Sequence, residues 1–390
     1  MNIAFVGPDD LSIVLFCRGI IRSLKSIPDS KVFVICDIGR YKAEIDALGV
    51  TTVSVPMYRW MNPWEDARYC ARLVGVMRQK EIEVVINFTT KANIYGAIAG
   101  RIARVKKVNM HIVGLGSGFA GRRDFSGRMV RWIFVRLYRL ACQLSDKVWF
   151  TNQRDREYFV SEDMVSASNA VLSRNYLDTS EYAPDVVCEQ DKLEARTVCG
   201  VKAHDKVVIM VARMIWQKGI REYAEAAEML VRSQPELKFL LVAPLETASR
   251  DAVPESYIRE KEKTANFKWL GFQEDVKRLY AISDLAVLPT YYREGGYPRG
   301  LLEPMAMGKP VITTTSEDCR NTVEEGRNGL LVPPQDSKAL ALAIQRIVSS
   351  DELRKSMGEY SRVKAVRDFD ERSIVNNALQ ELGLPVAIQD

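Results

Sequence analysis

The sequence predicts an α/β fold of two doubly wound domains, each a parallel sheet with helices on both faces. Three observations support this prediction. Short apolar strands alternate with longer helical segments in both halves of the chain, as they do in βαβ units. The length of 390 residues exceeds that of a single typical domain of roughly 150 residues. A polar stretch over 175–193 interrupts the alternation between the halves, as an interdomain linker would.

In the first half, each predicted strand is a short apolar run, and each predicted helix carries apolar residues at helical spacing. The predicted strands are 2–6, 31–36, 51–55, 83–87 and 108–113, and the predicted helices are 11–24, 41–48, 66–80 and 94–105. We therefore assign residues 1–178 to an N-terminal domain and residues 179–200 to the linker.

The second half repeats the rhythm without repeating the sequence. The predicted strands are 206–211, 238–242, 267–270, 285–288 and 310–313, and the predicted helices are 220–233, 276–282, 301–307, 337–349 and 351–367. Residues 246–266 show no clear pattern. We assign residues 201–370 to a C-terminal domain and 371–390 to a last helix that packs back on the first domain. Two such domains predict a ligand cleft between the carboxyl edges of their sheets.

Composition and charge restrict the class of protein. Hydrophobic residues make up 47% and charged residues 27% of the chain, which is typical of a soluble globular protein and excludes disorder, collagen and coiled coil. The start, MNIAFVGPDD, predicts a strand and not a signal peptide. Seven scattered cysteines without a CxxC pair predict reduced thiols in a cytosol. Residues 1–175 hold 26 Lys and Arg against 16 Asp and Glu, so we expect an anionic partner there.

The window 288–313, LPTYYREGGYPRGLLEPMAMGKPVIT, carries the most chemical information. It predicts a strand, a glycine-rich turn and a helix that begins near Gly300, with Glu303 and Pro304 in its first turn. The free amides of such a helix start bind anions. Because Glu294 and Glu303 flank that start, the pattern indicates a site for a sugar nucleotide. The amides would bind its phosphates, and the carboxylates would accept hydrogen bonds from its hydroxyls.

A diphosphate also needs fixed positive charge. Arg213 and Lys218 flank the turn between the predicted strand 206–211 and the helix that follows. Arginine can bind phosphate through two hydrogen bonds, and lysine acts as a point charge. We therefore predict that both residues bind the phosphates.

Three segments, VARMIWQKGIREYAEAAEML, FKWLGFQEDVKRLYAISDLAVLPTYY and EGGYPRGLLEPMAMGKPVI, resemble the C-terminal domain of the retaining GT-B glycosyltransferases of family 4. The resemblance implies two Rossmann-like domains that face each other across a cleft, and a nucleotide-sugar donor bound without a metal ion or other cofactor. It implies catalytic roles for Arg213, Lys218 and Glu294. The residues it implies for donor binding are Arg213, Lys218, Gly271, Phe272, Glu294, Gly295, Gly296, Leu301, Leu302 and Glu303, with Glu294 near the sugar and Glu303 on the ribose.

The chain departs from the family pattern in two places. Eight residues separate Glu294 from Glu303, where the family usually has seven. The family often has a histidine in an N-terminal-domain loop where this chain has Val113 or Gly114. We interpret His111, which precedes that loop, as a structural residue of a strand.

In the N-terminal half, TTKANIYGAIAGRIARV followed by GLGSGF resembles transferases that extend undecaprenyl-diphosphate-linked sugars, notably α-1,3-N-acetylgalactosaminyltransferases. This resemblance implies a UDP-sugar donor, UDP-GalNAc or a similar one, and a lipid-linked saccharide acceptor in bacterial surface polysaccharide or glycan synthesis, such as O-antigen or lipopolysaccharide. The residues it implies for the acceptor side are Lys91, Asn93, Gly114, Gly116 and Ser117.

Residues 121–141, GRRDFSGRMVRWIFVRLYRLA, hold six arginines and one acid, with aromatic and aliphatic residues between them. A helix of this composition can lie on an anionic membrane. An ordinary interface helix with arginines around its rim is the alternative. We expect a cytoplasmic protein bound peripherally to the inner face of the plasma membrane.

The sequence therefore predicts a retaining hexosyltransferase. A GT-B-fold sugar-nucleotide epimerase and a non-catalytic partner subunit are the alternatives. We expect no nucleic-acid partner, since no recognised module surrounds the arginines. Asp368-Phe-Asp370 matches the DxD metal motif of other glycosyltransferases, but it follows a C-terminal helix away from the glycine turn, and we interpret it as a chance match.

Overall fold

The computed structural model describes residues 1–58, 62–114, 125–247, 249–264 and 266–386. The chain divides into two compact units. The first unit runs from Met1 to Arg174 and takes in the C-terminal segment from Glu371 onward, and the second unit is Asn175–Asp370.

The first unit is built on a seven-stranded parallel sheet of order β3-β2-β1-β4-β5-β6-β7. Its strands are β1 Asn2–Asp9, β2 Lys31–Asp37, β3 Thr51–Ser54, β4 Val84–Phe88, β5 Lys107–Ile112, β6 Lys147–Phe150 and β7 Ala170–Leu172. Its helices are α1 Asp10–Phe16, α2 Arg18–Lys25, α3 Lys42–Asp46, α4 Pro63–Gln79, α5 Thr90–Ile102, α6 Phe125–Gln143, α7 Gln153–Ser161 and, at the C-terminal end of the chain, α16 Glu371–Glu381.

The last helix belongs to the first unit because of a close contact with α2. At Gly19 a Cβ atom would lie only 2.1 Å from Cδ of Glu371, so the glycine lets α16 approach α2. Arg22, one turn later on α2, pairs with the same carboxylate over 3.7 Å. The chain thus returns to its first unit after it completes the second.

A row of aromatic rings covers one face of the first sheet. The ring of His111 on β5 stacks on Trp149 of β6, with centroids 3.9 Å apart, and also lies beside Phe88. His111 is 1% exposed, and within the described part of the chain neither ring nitrogen has a hydrogen-bond partner. Burial lowers the pKa of His111 to about 3, so the residue is a neutral member of the core.

This burial predicts a loss of stability in mild acid. The pKa of His111 lies below the value of roughly 6.5 of an unfolded histidine, so the stabilisation is complete above pH 6.5. It decreases by about 1.4 kcal/mol per pH unit as the pH falls toward 3. In urea unfolding at pH 7, 6 and 5, we expect His111→Phe to remove about 2 kcal/mol of the pH dependence. His204→Gln, at an exposed site, is the control, and an equal slope in both variants would contradict the assignment.

The second unit holds a six-stranded parallel sheet of order β10-β9-β8-β11-β12-β13. Its strands are β8 Lys206–Val211, β9 Leu237–Val242, β10 Phe267–Trp269, β11 Leu285–Leu288, β12 Val311–Thr314 and β13 Gly329–Val332. Its helices are α8 Glu189–Cys199, α9 Ile220–Leu230, α10 Glu255–Thr264, α11 Lys277–Ile282, α12 Arg299–Ala306, α13 Glu317–Arg320, α14 Ser337–Val348 and α15 Asp351–Phe369.

Several elements are absent from the sequence-based prediction, and most are short or highly charged. Helix α8 lies within the range predicted as a linker, and Ala195 and Cys199 are its buried residues. Helix α10, ESYIREKEKT, lies in the stretch that showed no pattern, and Ile258 is its fully buried residue. One or two apolar positions are too few to reveal a helical period. The other missed elements are α7, α13, β6, β7 and β13.

Within the described part of the chain, no helix combines the length and the apolar character needed to cross a bilayer.

Candidate functional site

The predicted phosphate residues lie on a turn that follows β8. A short 3-10 helix, Trp216–Lys218, ends at Gly219, whose φ of 83° is in the left-handed region. A Cβ at this position would lie 2.3 Å from the carbonyl oxygen of Pro289, just beyond β11. Glycine is therefore required both for the backbone conformation and for the close approach of the two turns.

Backbone hydrogen bonds join the same two turns. The carbonyl oxygen of Gln217 accepts the amides of Tyr291 at 2.9 Å and Tyr292 at 3.0 Å. Because β8 and β11 are neighbours in the sheet, their carboxyl ends bring the two turns to one edge. Arg213, Lys218 and the glycine-rich turn after β11, which the sequence predicted to act together, thus lie in one region of the second unit.

Lys218 and Glu294 form a buried ion pair at this edge. The lysine Nζ lies 2.6 Å from Oε1 of Glu294, and the two side chains are 11% and 6% exposed. The Thr290 hydroxyl donates to the same carboxylate oxygen over 2.8 Å. The additional residue in the glycine turn therefore leaves Glu294 in contact with Lys218.

Both predicted phosphate-binding cations lie over the ring of Tyr292. The guanidinium carbon of Arg213 lies 5.1 Å from the ring centroid, and Nζ of Lys218 lies 5.2 Å from it. Both distances are within the range of a cation–π contact. Sequence reasoning missed Tyr292, because nothing local links it to two residues more than 70 positions earlier.

The helix α12 begins one residue earlier than predicted, and this corrects the positions of two residues. Pro298 precedes it with extended dihedral angles, so Arg299 is its first residue. Glu303 is then its fifth residue, and Pro304 lies inside the helix, so the prediction that both lie in the first turn was wrong. At Gly300, a Cβ would lie 2.7 Å from the carbonyl oxygen of Val211, so this glycine lets the helix pack against the end of β8.

Glu303 is buried and held by two donors. Arg299, one turn earlier on α12, donates from Nε to Oε1 over 2.8 Å. The hydroxyl of Tyr280, from α11, donates to Oε2 over 3.2 Å. The spacing of Arg299 and Glu303 could have suggested their pairing from sequence, whereas Tyr280 comes from a different element and could not have been found that way.

The other donor-side candidates are placed as follows. Gly271, Gly295 and Gly296 all have positive φ, at 65°, 70° and 122°, and Phe272 is 52% exposed. The side chains of Leu301 and Leu302 are fully buried, and both amides donate to the carbonyl oxygen of Pro298. These two leucines therefore contribute packing to the start of α12.

The acceptor candidates belong to the first unit and make internal contacts. Lys91 pairs with Asp66 over 2.6 Å and donates to the carbonyl oxygen of Tyr58. Asn93 is fully buried, and its side-chain amide bonds to the backbone of His111 at 3.0 and 3.3 Å. Gly114 has a φ of 153°. Gly116 and Ser117 lie outside the described residues.

The carboxylates of the DxD match are bound within the protein. Lys364 donates to Asp368 over 2.9 Å, and the hydroxyl of Thr179 donates to Asp370. Among the residues that the structure describes, no group of three or more His, Cys, Asp or Glu side chains is arranged to hold a metal ion.

The arginine-rich segment 121–141 contributes to helix α6, whose described part has both exposed and buried side chains. Met129, Trp132 and Leu140 are 50%, 59% and 43% exposed, and Arg136 lies over the Trp132 ring. Other apolar residues of the helix pack against the core of the first unit; they are Phe134, Val135 and Leu137. Residues 122–124 and the side chains of Arg128 and Arg131 lie outside the described part.

The buried ion pair predicts an asymmetric effect of substitution. Lys218→Met leaves the Glu294 carboxylate buried without its cation, which costs about 3 kcal/mol of unfolding free energy. Adding Glu294→Gln should recover part of this loss, because the unpaired charge is then removed. Urea unfolding of both variants measures the difference. Lys192→Met, at an exposed pair with Glu189, should change stability by less than about 1 kcal/mol. A double variant less stable than Lys218→Met would contradict the prediction.

Comparison with known proteins identifies the fold and the class of the protein. Residues 191–364 match the family described as Glycosyl transferases group 1. A solved structure, Anabaena HepE in complex with UDP, covers 98% of this chain and 100% of its own, with a TM-score of 0.77 and 22% identity. This likeness confirms the predicted GT-B fold of two Rossmann-like domains.

Two relatives resemble the chain in sequence. It is 25% identical, over 97% of its length and 98% of the relative, to the N,N'-diacetylbacillosaminyl-diphospho-undecaprenol alpha-1,3-N-acetylgalactosaminyltransferase of Campylobacter jejuni. It is 24% identical to the UDP-Gal:alpha-D-GlcNAc-diphosphoundecaprenol alpha-1,3-galactosyltransferase of Escherichia coli, over 78% of this chain and 76% of that protein. The chain is therefore a glycosyltransferase with the GT-B fold, and its residues 191–364 form a group 1 glycosyltransferase domain.

Proposed function

We propose that the protein is a retaining hexosyltransferase of family 4, which moves a sugar from a UDP-sugar, such as UDP-GalNAc, to a lipid-linked saccharide in bacterial surface-glycan synthesis. The main support for a bound sugar-nucleotide donor is that Arg213 and Lys218 both lie over the ring of Tyr292, and that Lys218 also contacts Glu294. The names of both relatives support the acceptor side, since each includes a diphospho-undecaprenol-linked sugar. None of the matches described above favours an epimerase or a non-catalytic subunit.

The cations supply the electrostatic part of catalysis. As the bond between the anomeric carbon and the phosphate oxygen breaks, negative charge grows on the departing UDP. Arg213 can hold its phosphates through two hydrogen bonds, and Lys218 adds a point charge. Fixed charges of this kind lower the barrier where charge develops. The residues thus stabilise the leaving group without a metal ion.

Glu294 orients the donor sugar, and the leaving phosphate accepts the proton of the acceptor hydroxyl. Lys218 has three N–H donors, so it can keep its bond to Glu294 and still donate to a phosphate. Glu294 then accepts a hydrogen bond from a hydroxyl of the donor sugar, and this bond orients the sugar. The acceptor hydroxyl attacks the anomeric carbon from the face that the phosphate leaves, and its proton passes to the phosphate. The configuration of the sugar is retained.

Helix α6 gives the enzyme a surface for its lipid-linked substrate. Exposed Trp132 and Met129 on a basic helix suit the headgroup region of an anionic bilayer. The excess of basic residues in 1–175 adds attraction to such a surface. We therefore infer that the protein works at the inner face of the plasma membrane.

The donor proposal is tested by the release of UDP from a panel of UDP-sugars with bacterial lipid extract. We expect release to require both one particular donor and the lipid fraction, and the product linkage, read by NMR, to keep the α configuration. Lys218→Ala should reduce kcat by about 100- to 1000-fold, as loss of one charge-stabilising group does elsewhere. Lys192→Ala is the control. UDP release that is independent of lipid, or conversion of the donor into an epimer, would contradict the proposal.

The membrane proposal predicts binding to vesicles that contain phosphatidylglycerol and weak binding to phosphatidylcholine alone. Trp132→Ala combined with Arg136→Gln should weaken binding at least about 5-fold, since one basic residue near an anionic surface contributes about 1 kcal/mol. Vesicle sedimentation at two salt concentrations measures this. Leu342→Ala, at an exposed site of the second unit, should leave binding unchanged. Equal binding by wild type and the α6 variant would show that α6 is a rim-packing helix.

A further inference from the structure

Arg299 is a charged residue of the second unit to which neither the family resemblance nor the mechanism above assigns a role. It is the first residue of α12, and its side chain is 29% exposed. Its Nε donates to Oε1 of Glu303 over 2.8 Å. Because the two residues are one helical turn apart, the helix itself sets their separation.

Arg299 is itself held in place. Its guanidinium carbon lies 6.0 Å from the ring centroid of Tyr182. Burial lowers the pKa of Arg299, but the Glu303 carboxylate and Tyr182, which shares a hydrogen bond with it, outweigh that effect and raise its pKa above the usual value. Arg299 is therefore a fixed cation with a defined orientation.

The carboxylate of Glu303 is consequently fixed at both oxygens. Arg299 bonds to Oε1, and the fully buried Tyr280 bonds to Oε2. Each carboxylate oxygen can accept a second hydrogen bond, so the pair of oxygens can take two neighbouring hydroxyls. Two cis hydroxyls on adjacent carbons are what a ribose presents. The positive charge of Arg299 also offsets the negative charge of Glu303, which would otherwise repel a diphosphate.

We propose that Arg299 is a positioning residue that orients Glu303 toward both ribose hydroxyls and so makes the site select a ribonucleotide over a 2'-deoxyribonucleotide. This inference rests on the proposed function, because it assumes a UDP donor. A site built to bond a hydroxyl strongly rejects the analogue that lacks it, since its own polar groups are then left unpaired.

Calorimetric binding of UDP, 2'-deoxy-UDP and inorganic pyrophosphate to the full-length protein tests the inference. We expect wild type to bind UDP at least about 10-fold more tightly than 2'-deoxy-UDP. Arg299→Met should weaken UDP binding by about 10-fold, weaken the binding of 2'-deoxy-UDP, which keeps its 3' hydroxyl, by a smaller factor, and leave the Kd of pyrophosphate within about 3-fold of wild type. In a Glu303→Gln background, Arg299→Met should have no further effect, since Arg299 acts through Glu303.

Arg299→Lys is the second variant and covers the case in which Arg299→Met does not fold. It keeps the charge but loses the planar fork, so it should weaken UDP binding by a smaller factor and leave pyrophosphate binding intact. Arg232→Met, at an exposed position in the turn that follows α9, is the matched control. Equal weakening of all three ligands, or unchanged UDP binding, would overturn the role of Arg299 alone. A wild type that binds pyrophosphate but not UDP would overturn the UDP donor together with this inference.

Discussion

The buried ion pair between Lys218 and Glu294 is the contact on which the arrangement of the second unit's site depends. It joins the turn after β8 to the turn after β11, two segments that are 76 residues apart in the chain. The pair can form only because Gly219 lacks a side chain where the first turn meets Pro289. Gln217 then fixes the two turns through its carbonyl oxygen. A single close approach thus positions the lysine, the carboxylate and the ring of Tyr292.

The site balances charge locally. Each of its two glutamates forms an ion pair with a cation of the same unit. Lys218 pairs with Glu294, and Arg299 pairs with Glu303. Carboxylates suit the hydroxyls of a sugar nucleotide, but unpaired they would repel its diphosphate. With both carboxylates paired, Arg213 adds positive charge at the same edge. This pairing is what the proposed diphosphate site requires of the two acids that lie beside it.

Much of the fold could be predicted from the sequence, because apolar strands such as Lys206–Val211 and Leu285–Leu288 are runs that a parallel sheet buries on both faces. The residue types of the site were equally visible, since Arg213 and Lys218 flank one turn. The contacts within the site were not. Tyr280 meets Glu303 from another helix, and α12 begins at Arg299, one residue before the expected start near Gly300. Such details depend on tertiary packing and on single dihedral angles, which no local pattern specifies.

The additional residue between Glu294 and Glu303 shows how the site tolerates a change in spacing. Glu294 is held from the strand side by Lys218 and Thr290, and Glu303 is held from the helix side by Arg299 and Tyr280. These four partners lie outside the glycine pair at the start of the joining segment, because Arg299 already belongs to α12. That segment opens with two glycines whose positive φ angles let the backbone take up the additional length. Because each acid is positioned by its own element, the turn between them can lengthen while both keep their partners.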